Sequence, residues 1–472
     1  MKFIVPLFAF AVTAPFPLRA GLPSVGPDYA RPAVAAPAAY RDPSDAEAWK
    51  AAAPADAIPR GEWWKLFSDP ALDALESRAL TANQDLQAAA ARVDQARAAA
   101  GIARSADLPQ LAVAPSLARE RTSSTTDNVF PVAQSTTYRA PLALSWEIDL
   151  FGRVRRLREG ARAEAEASAA TFESVRLALT AEVAADYFSL RALDRELGAV
   201  RDSTALRQRA LELVSARFKA GAAAEVDVAR AETELATAQA EAAGLGVRRA
   251  SLQDALAVLV GEAAPVFVLP SVADAPALPP AVPAGLPANL LERRPDVAAA
   301  ERALAAANAR IGVARAAFFP AISLTGSAGF ASGDLDRLFE SDSRTWSIGP
   351  SLYLPIFQGG RNRANLERSR AAYEESVAVF RQRVLVAFRE VQDALTGLRL
   401  LADQAAAQDR ALASARRAAG LAQVRYDAGY VSYFDVVDAQ RTALATERAS
   451  AQLSGQRFVT SIALIKSLGG TW

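Results

Sequence analysis

The 472-residue chain contains no histidine and no cysteine. Without imidazole or thiolate, the usual zinc sites, Ser-His-Asp triads, cysteine nucleophiles and disulfide frameworks are all excluded. Charge of one sign is also missing: 53 Lys and Arg stand against 52 Asp and Glu. The strongly basic surface of a nucleic-acid partner is therefore absent, and no nucleic acid is expected. Aromatic residues make up only 7%, and the 51% hydrophobic content is carried largely by alanine. That composition suits closely packed helices better than a large globular core. Beyond the N-terminus, no segment approaches the roughly 18 uninterrupted apolar residues that read as a transmembrane helix. If the mature chain enters a membrane, it must do so as strands. No catalytic residue, no metal and no cofactor is expected.

The N-terminus reads as an export signal, residues 1–22: Lys2, an apolar stretch from Phe3 to Leu18, then small residues at Ala20 and Gly21. Pro6, Pro15 and Pro17 argue against a stable membrane helix there. Residues 23–68, with Pro27, Pro32, Pro37, Pro43 and Pro54, read as an extended arm without a core of its own. Asp69-Pro70 then supplies an N-cap and first turn for a helix expected to run to about Ala106, before Pro109. Strand-like sequence follows. A second helical run begins after Phe151-Gly152 and reaches about Arg217, roughly 65 residues or about 97 Å, longer than ordinary globular helices. Gly221 marks a turn, and another helix runs from Glu225 to about Val260, before Gly261.

A Pro-rich linker, 265–288, separates this first repeat (69–264) from a second (289–472) in which the same order returns. A helix from Asn289 to Phe318 is followed by strands, a helix from Gly359-Gly360 to Asp427, a turn at Gly429 and a last helix ending near Leu468. ARFKAGAAAEVDVARAE (Ala216 to Glu232) aligns with VRYDAGYVSYFDVVDAQ (Val424 to Gln440) at an offset of about 208 residues. ARSADLP ending at Pro109 likewise parallels ARAAFFP ending at Pro320. Duplication inside one body is the reading, the unit being too long for a solenoid. In the second repeat Val377, Phe380, Val384, Phe388, Val391, Leu395 and Leu398 form a coiled-coil stripe. A long antiparallel coiled coil, as in a periplasmic scaffold, would also fit these helices well.

The strands separate the two readings. In LALSWEIDL, Leu142, Leu144, Trp146, Ile148 and Leu150 alternate with Ala143, Ser145, Glu147 and Asp149. From Thr345 to Ile356, Trp346, Ile348, Leu352, Leu354 and Ile356 oppose Thr345, Ser347, Gly349, Ser351 and Tyr353. Weaker alternation marks strands at about 111–119 and 321–330, pairing with those at about 139–150 and 345–356. Strands of about 9 to 12 residues with one apolar and one polar face are what a membrane barrel needs, lipid outside and water inside. Four strands are too few to close, and open edges are not viable in lipid, so several copies must contribute. The polar tips, Arg119 to Thr137 and Ala331 to Arg344, have the character of extracellular loops.

With these features assembled, the sequence resembles the outer-membrane efflux proteins of the TolC type, most closely the branch serving tripartite drug pumps of the RND type. The words that carry the resemblance are VGPDYARP (Val25 to Pro32), WWKLFSDPALDAL (Trp63 to Leu75), LLERRPDVAAAER (Leu290 to Arg302), IGVARAAFFPAISLTGSAG (Ile311 to Gly329) and the paired RFKAG and RYDAG turns. The resemblance implies a mainly α protein with a transmembrane β part: a homotrimer forming a twelve-stranded β-barrel, four strands per protomer, continued by a long periplasmic α-helical coiled-coil barrel. It implies a passive exit duct for drugs or other small solutes, joined by a periplasmic adaptor protein to an inner-membrane pump. A type I protein-secretion duct is the alternative within the class. The location implied is the Gram-negative outer membrane, with the helical body in the periplasm. Leu22 stands where many members of this branch carry a lipidated Cys, so no acyl anchor is expected there.

The resemblance also places a gate at the turns of Gly221 and Gly429, which it makes the adaptor-contacting tip. This branch closes with an apolar ring one turn before an acidic one, matching Phe434 and Asp438; Asp435 matches a gate acid of another branch. Asp435 and Asp438, three apart, share a helix face. A family contact carries over to Asp227 and Tyr426, although its companion arginine has Val431 in its place. Read blandly, these acids are solvated helix caps. Arg293-Arg294-Pro295-Asp296 is read as structural, with Asp296 capping a helix and the arginines pairing locally.

Overall fold

The computed structural model describes residues 24–33, 37, 40, 61–123, 125, 134–272, 278–280 and 293–470. The expected signal with Leu22, most of the arm, the centre of the first loop, most of the linker and residues 289–292 lie outside them. In chain order, a short 3₁₀ turn (Trp63–Phe67) leads into helices α1 (Pro70–Ala82) and α2 (Gln84–Ser105). Strands β1 (Gln110–Val113), β2 (Ser116–Arg121) and β3 (Gln134–Ile148) precede helices α3 (Arg153–Lys219) and α4 (Glu225–Leu259). The second half gives α5 (Pro295–Ala316), β4 (Ala321–Ser332), β5 (Arg344–Tyr353), α6 (Arg361–Asp427) and α7 (Tyr433–Ser467).

The halves match in length as well as order. α3 and α6 have 67 residues each, α4 and α7 have 35 each, and α2 and α5 have 22 each. α3 and α6 begin at Arg153 and Arg361, α4 and α7 at Glu225 and Tyr433, the same 208-residue offset in both cases. The described residues form two compact units, and each draws on both halves.

One unit comprises residues 24–31, Ala96–Ala165 and Arg302–Val377. Its sheet runs antiparallel in the order β1-β3-β4-β5, with β2 also on β3. β1 and β2 share one register on β3, Val113 facing Leu142 and Ser116 facing Arg139. They are one strand interrupted at Ala114-Pro115, where proline lacks the N–H that a ladder requires. This corrects the expected single strand at 111–119. β3 begins at Gln134, inside the expected loop, and stops at Ile148 instead of Leu150. There Asp149 turns to cap α3, its carboxylate accepting from the backbone of Val154 at 3.1 Å and Arg155 at 2.9 Å. β5 ends at Tyr353, short of Ile356, because Pro355 follows. Leu354, expected as an outward strand residue, is exposed but lies beyond the strand.

The register puts one apolar face on the sheet. Leu111 and Val113 oppose Leu144 and Leu142; Trp146 and Ile148 oppose Leu324 and Ile322; Ile348 and Leu352 oppose Gly326 and Ile322. Leu142, Trp346, Ile348 and Leu352 on this face are exposed, Trp346 by 78%. Leu144 and Ile148 are half-buried, as is Trp146, whose indole N–H donates to the Asp107 carbonyl at 3.1 Å. The other face carries Ser145, Ser323, Thr325, Ser327 and Ser347, the last two with hydroxyls 3.0 Å apart.

The arm segment is held on this unit. Val25 N–H donates to the Phe151 carbonyl at 3.0 Å, the Asn308 amide to the Pro27 carbonyl at 3.0 Å, and Asp28 pairs with Arg156 at 2.6 Å. Gly26 has φ +110°, and a Cβ there would stand 2.6 Å from the Gly312 Cα, so the approach requires glycine.

The remaining described residues form the helical unit. The expected continuous helix from Asp69 to Ala106 is broken at Asn83, whose ψ of 125° is extended. Its side chain caps α2 through Leu86 N–H at 2.9 Å and donates to the Leu259 carbonyl at 3.0 Å. On α6 the fully buried spine is Phe380, Val384, Ala387 and Val391. Ala387 takes the seam while Phe388 is half-buried, because a small residue lets the helices approach more closely. Trp63, Phe67, Phe188 and Phe458 belong to one extended apolar cluster, with Phe188 stacked 4.3 Å from Phe458. Arg294 forks onto Asp296 at 2.9 and 2.7 Å and also reaches Glu390, so this motif binds locally.

Glu76 on α1 is wholly buried, with no hydrogen-bond partner for either carboxylate oxygen. Burial, reinforced by the neighbouring Asp73 charge, pushes its carboxyl from 4.5 up to about 9. Within that interval the folded chain keeps a proton that the unfolded chain has released, so stability falls as pH rises. Glu76→Gln keeps the shape and removes the ionisation. Its thermal unfolding midpoint is expected to lose the decline that the parent shows from about pH 5 to about pH 9; parallel profiles would contradict this assignment.

Candidate functional site

The two long helices α3 and α6 end in the same way. Gly221 and Gly429 take φ +73° and +79°, in the left-handed region. Ala222 N–H donates to the Arg217 carbonyl at 2.8 Å and Gly221 N–H to Phe218 at 2.9 Å. Tyr430 and Gly429 repeat this on Arg425 and Tyr426, both at 2.9 Å. These are Schellman turns, which satisfy helix carbonyls that would otherwise be orphaned. A Cβ at either glycine would meet nothing within 4 Å, so the requirement is conformational.

The helices that leave the turns start differently. α4 follows Ala224, which has no side-chain cap, while α7 follows Ser432 in a capping box with Asp435. The Asp435 carboxylate accepts from the Ser432 hydroxyl at 2.6 Å and its N–H at 2.9 Å. These bonds, the hydroxyl's first, hold the exposed Asp435 carboxyl below its usual range. Asp435 is therefore occupied as a cap. Asp227, its counterpart in the first repeat, is half-buried.

Within the protomer Tyr426 makes no hydrogen bond to Asp227. Its hydroxyl accepts from Arg217 at 2.8 Å, and the guanidinium carbon lies 5.0 Å from its ring centroid. The arginine that meets Tyr426 within the chain comes from the end of α3, four residues before Gly221. Tyr433 packs 5.7 Å from Tyr426, its hydroxyl pushed up by burial and then by the Glu234 charge. Phe434 and Asp438 are both exposed, Phe434 by 57%. Arg230 of α4 places its guanidinium carbon 5.9 Å from the Phe434 ring centroid.

Above the turns, ion pairs tie the repeats together. Glu234 of α4 is buried, pairs with Arg207 at 3.2 Å and pairs with Arg441 of α7. Seven residues further along both helices Glu241 pairs with Arg448, which also reaches the buried Glu196 of α3 at 2.8 Å. The heptad spacing of Glu234/Glu241 against Arg441/Arg448 was a readable signal of this ladder. Single residues such as Arg217 carried none.

This arrangement, a strand pair and long helices occurring twice, defines a membrane channel class, and comparison with known proteins agrees. The family model described as outer membrane efflux protein matches residues 75–262 and 286–470. The chain is 38% identical to outer membrane protein OprJ of Pseudomonas aeruginosa, covering 98% of this chain and 96% of that one. It is 36% identical to toluene efflux pump outer membrane protein TtgF of Pseudomonas putida, covering 87% and 85%. Among solved structures, the outer-membrane channel OprN superimposes with TM-score 0.85 at 32% identity, over 95% of this chain and 99% of that one. The chain belongs to the outer membrane efflux protein family. It is an outer-membrane channel component of a tripartite efflux system, and its family members are channel proteins.

The capping asymmetry yields a direct expectation. Ser432→Ala should weaken the start of α7 by about 0.5–2 kcal/mol, the range for a lost N-cap. Hydrogen exchange should then accelerate in the first turn of α7 and stay unchanged in that of α4. Equal rates in parent and variant would deny Ser432 this role.

Proposed function

We propose that the chain works as a homotrimeric passive duct, without catalysis, in which twelve strands, four from each protomer, close a barrel around a water-filled pore. The observation that carries this reading is the sheet itself. Its apolar face is exposed at Leu142, Trp346, Ile348 and Leu352, and among the described residues its outer strands, β1/β2 and β5, each leave an edge unpaired. In hydrocarbon such edges must find partners, and the apolar face, led by Leu142, Leu144, Trp146, Ile148, Trp346, Ile348 and Leu352, is suited to lipid.

The turns at Gly221 and Gly429 form the periplasmic tip in this reading. Phe434 supplies an apolar ring and Asp438 an acidic one, while Asp435 serves chiefly as a cap and Asp227 stands behind. Arg217 and Tyr426 hold α3 to α6 within the protomer, and an Asp227–Tyr426 contact is proposed beside them at the closed tip. Exposed apolar residues Phe218, Leu421, Val424 and Tyr430 surround the turns and suit a periplasmic adaptor, which would link the channel to an RND-type inner-membrane pump. Drugs and other small, largely apolar solutes are the proposed cargo, supported by the name of the toluene-pump relative.

In planar bilayers the isolated protein should conduct weakly. Phe434→Ala and Asp438→Ala should each raise single-channel conductance several-fold, with the trimer intact. Parent-like conductance in both variants would overturn the gate assignment.

A further inference from the structure

The duplication sets two opposite charges at equivalent positions in the candidate gate. Arg230 is the sixth residue of α4, and Asp438 is the sixth residue of α7, both helices having 35 residues. Val226 and Phe434 are equivalent in the same way, each the second residue of its helix. The first repeat thus presents a small apolar residue followed by a cation, and the second an aromatic followed by an anion. Within the protomer the two series meet where the Arg230 guanidinium lies over the Phe434 ring. At this distance a guanidinium is attracted by the ring quadrupole.

Several of the other charges nearby are engaged, while Lys219 and Arg425 against Glu225 and Asp227 add two of each sign at the turns. Arg217 donates to Tyr426, Arg441 pairs with Glu234, Asp435 is taken by Ser432, and Asp427 accepts from Gln423. Among the described residues, Arg230 and Asp438 each lack an ion-pair partner, and both are exposed. Three copies of the chain would therefore bring three such cations and three such anions to the tip, in equal number.

From this we infer that Arg230 is a specificity-determining residue of the gate, which holds the Phe434 ring and balances the Asp438 carboxylates so that the closed tip does not select cations. The inference rests on the reading of Phe434 and Asp438 as gate residues. A bare ring of three carboxylates would concentrate cations and exclude anions. An interleaved guanidinium on each copy removes most of that field, and the residual selectivity is further screened by salt.

The test is the reversal potential of purified trimers in planar bilayers under a KCl gradient, for the parent, Arg230→Gln, Arg230→Lys and Arg230→Gln combined with Asp438→Asn. Arg230→Gln should raise the cation-to-anion permeability ratio several-fold at low salt and much less at high salt. Arg230→Lys, which keeps the charge, should stay near the parent, and the double variant should return toward it. If Arg230→Gln leaves the reversal potential unchanged while Asp438→Ala still raises conductance, this inference fails and the gate stands. If Asp438→Ala and Phe434→Ala are also silent, the gate reading fails with it.

Discussion

The unmet hydrogen bonds at the two edges of the sheet are the constraint on which the rest of this protein depends. In water such edges could be solvated. In hydrocarbon each exposed N–H and C=O carries a penalty of several kcal/mol, and a row of them is untenable. Among the described residues one chain supplies β1/β2, β3, β4 and β5 in sequence and no further strand. The proposed trimer is the resolution: it pairs every edge, turns the Leu142 and Trp346 face to lipid and encloses the serine-rich face. The long helices then inherit the same symmetry.

Duplication supplied the material for this body, and the proposed gate rests on departures from it. The helix lengths have stayed matched, and so have the left-handed glycines at Gly221 and Gly429. The repeats differ along their length, and at the tip Ala224 stands against Ser432, Val226 against Phe434 and Arg230 against Asp438. One repeat keeps an uncapped, less aromatic start, and the other has a capped helix presenting Phe434. The ladder of Glu234, Glu241 and Glu196 with Arg441 and Arg448 fixes the register between the repeats. Pairs on the buried Glu234 and Glu196 add little net stability, but removing their arginines leaves a buried charge less compensated. That makes them suited to defining register.

Most of the architecture was legible in the sequence because its signals are periodic. Alternation over Leu142 to Ile148 marked a strand, and Gly221, Gly261 and Gly429 marked helix ends. The errors fell where a single side chain outweighs a period. Asn83 breaks a helix that the pattern alone would continue, since its amide both caps α2 and grips the Leu259 carbonyl. Pro115 splits a strand without shifting its register, and Pro355 ends β5 before Leu354. At the site, Phe434 and Asp438 were found only through family resemblance. Arg217 and Arg230 escaped because their partners, Tyr426 and Phe434, are 209 and 204 residues away, and nothing local announces such pairings.

The absence of cysteine allows the central claim, closure by three copies through their sheet edges, to be examined on a clean background. Ala112→Cys on β1 would be combined in turn with Thr345→Cys, Ser347→Cys or Gly349→Cys on β5, and mild oxidation followed by denaturing electrophoresis. At the matching register, the account predicts a covalent ladder of dimer and trimer that stops at three, with each single-cysteine variant remaining monomeric. A ladder extending beyond trimer, or only uncrosslinked chain from every pair, would contradict it.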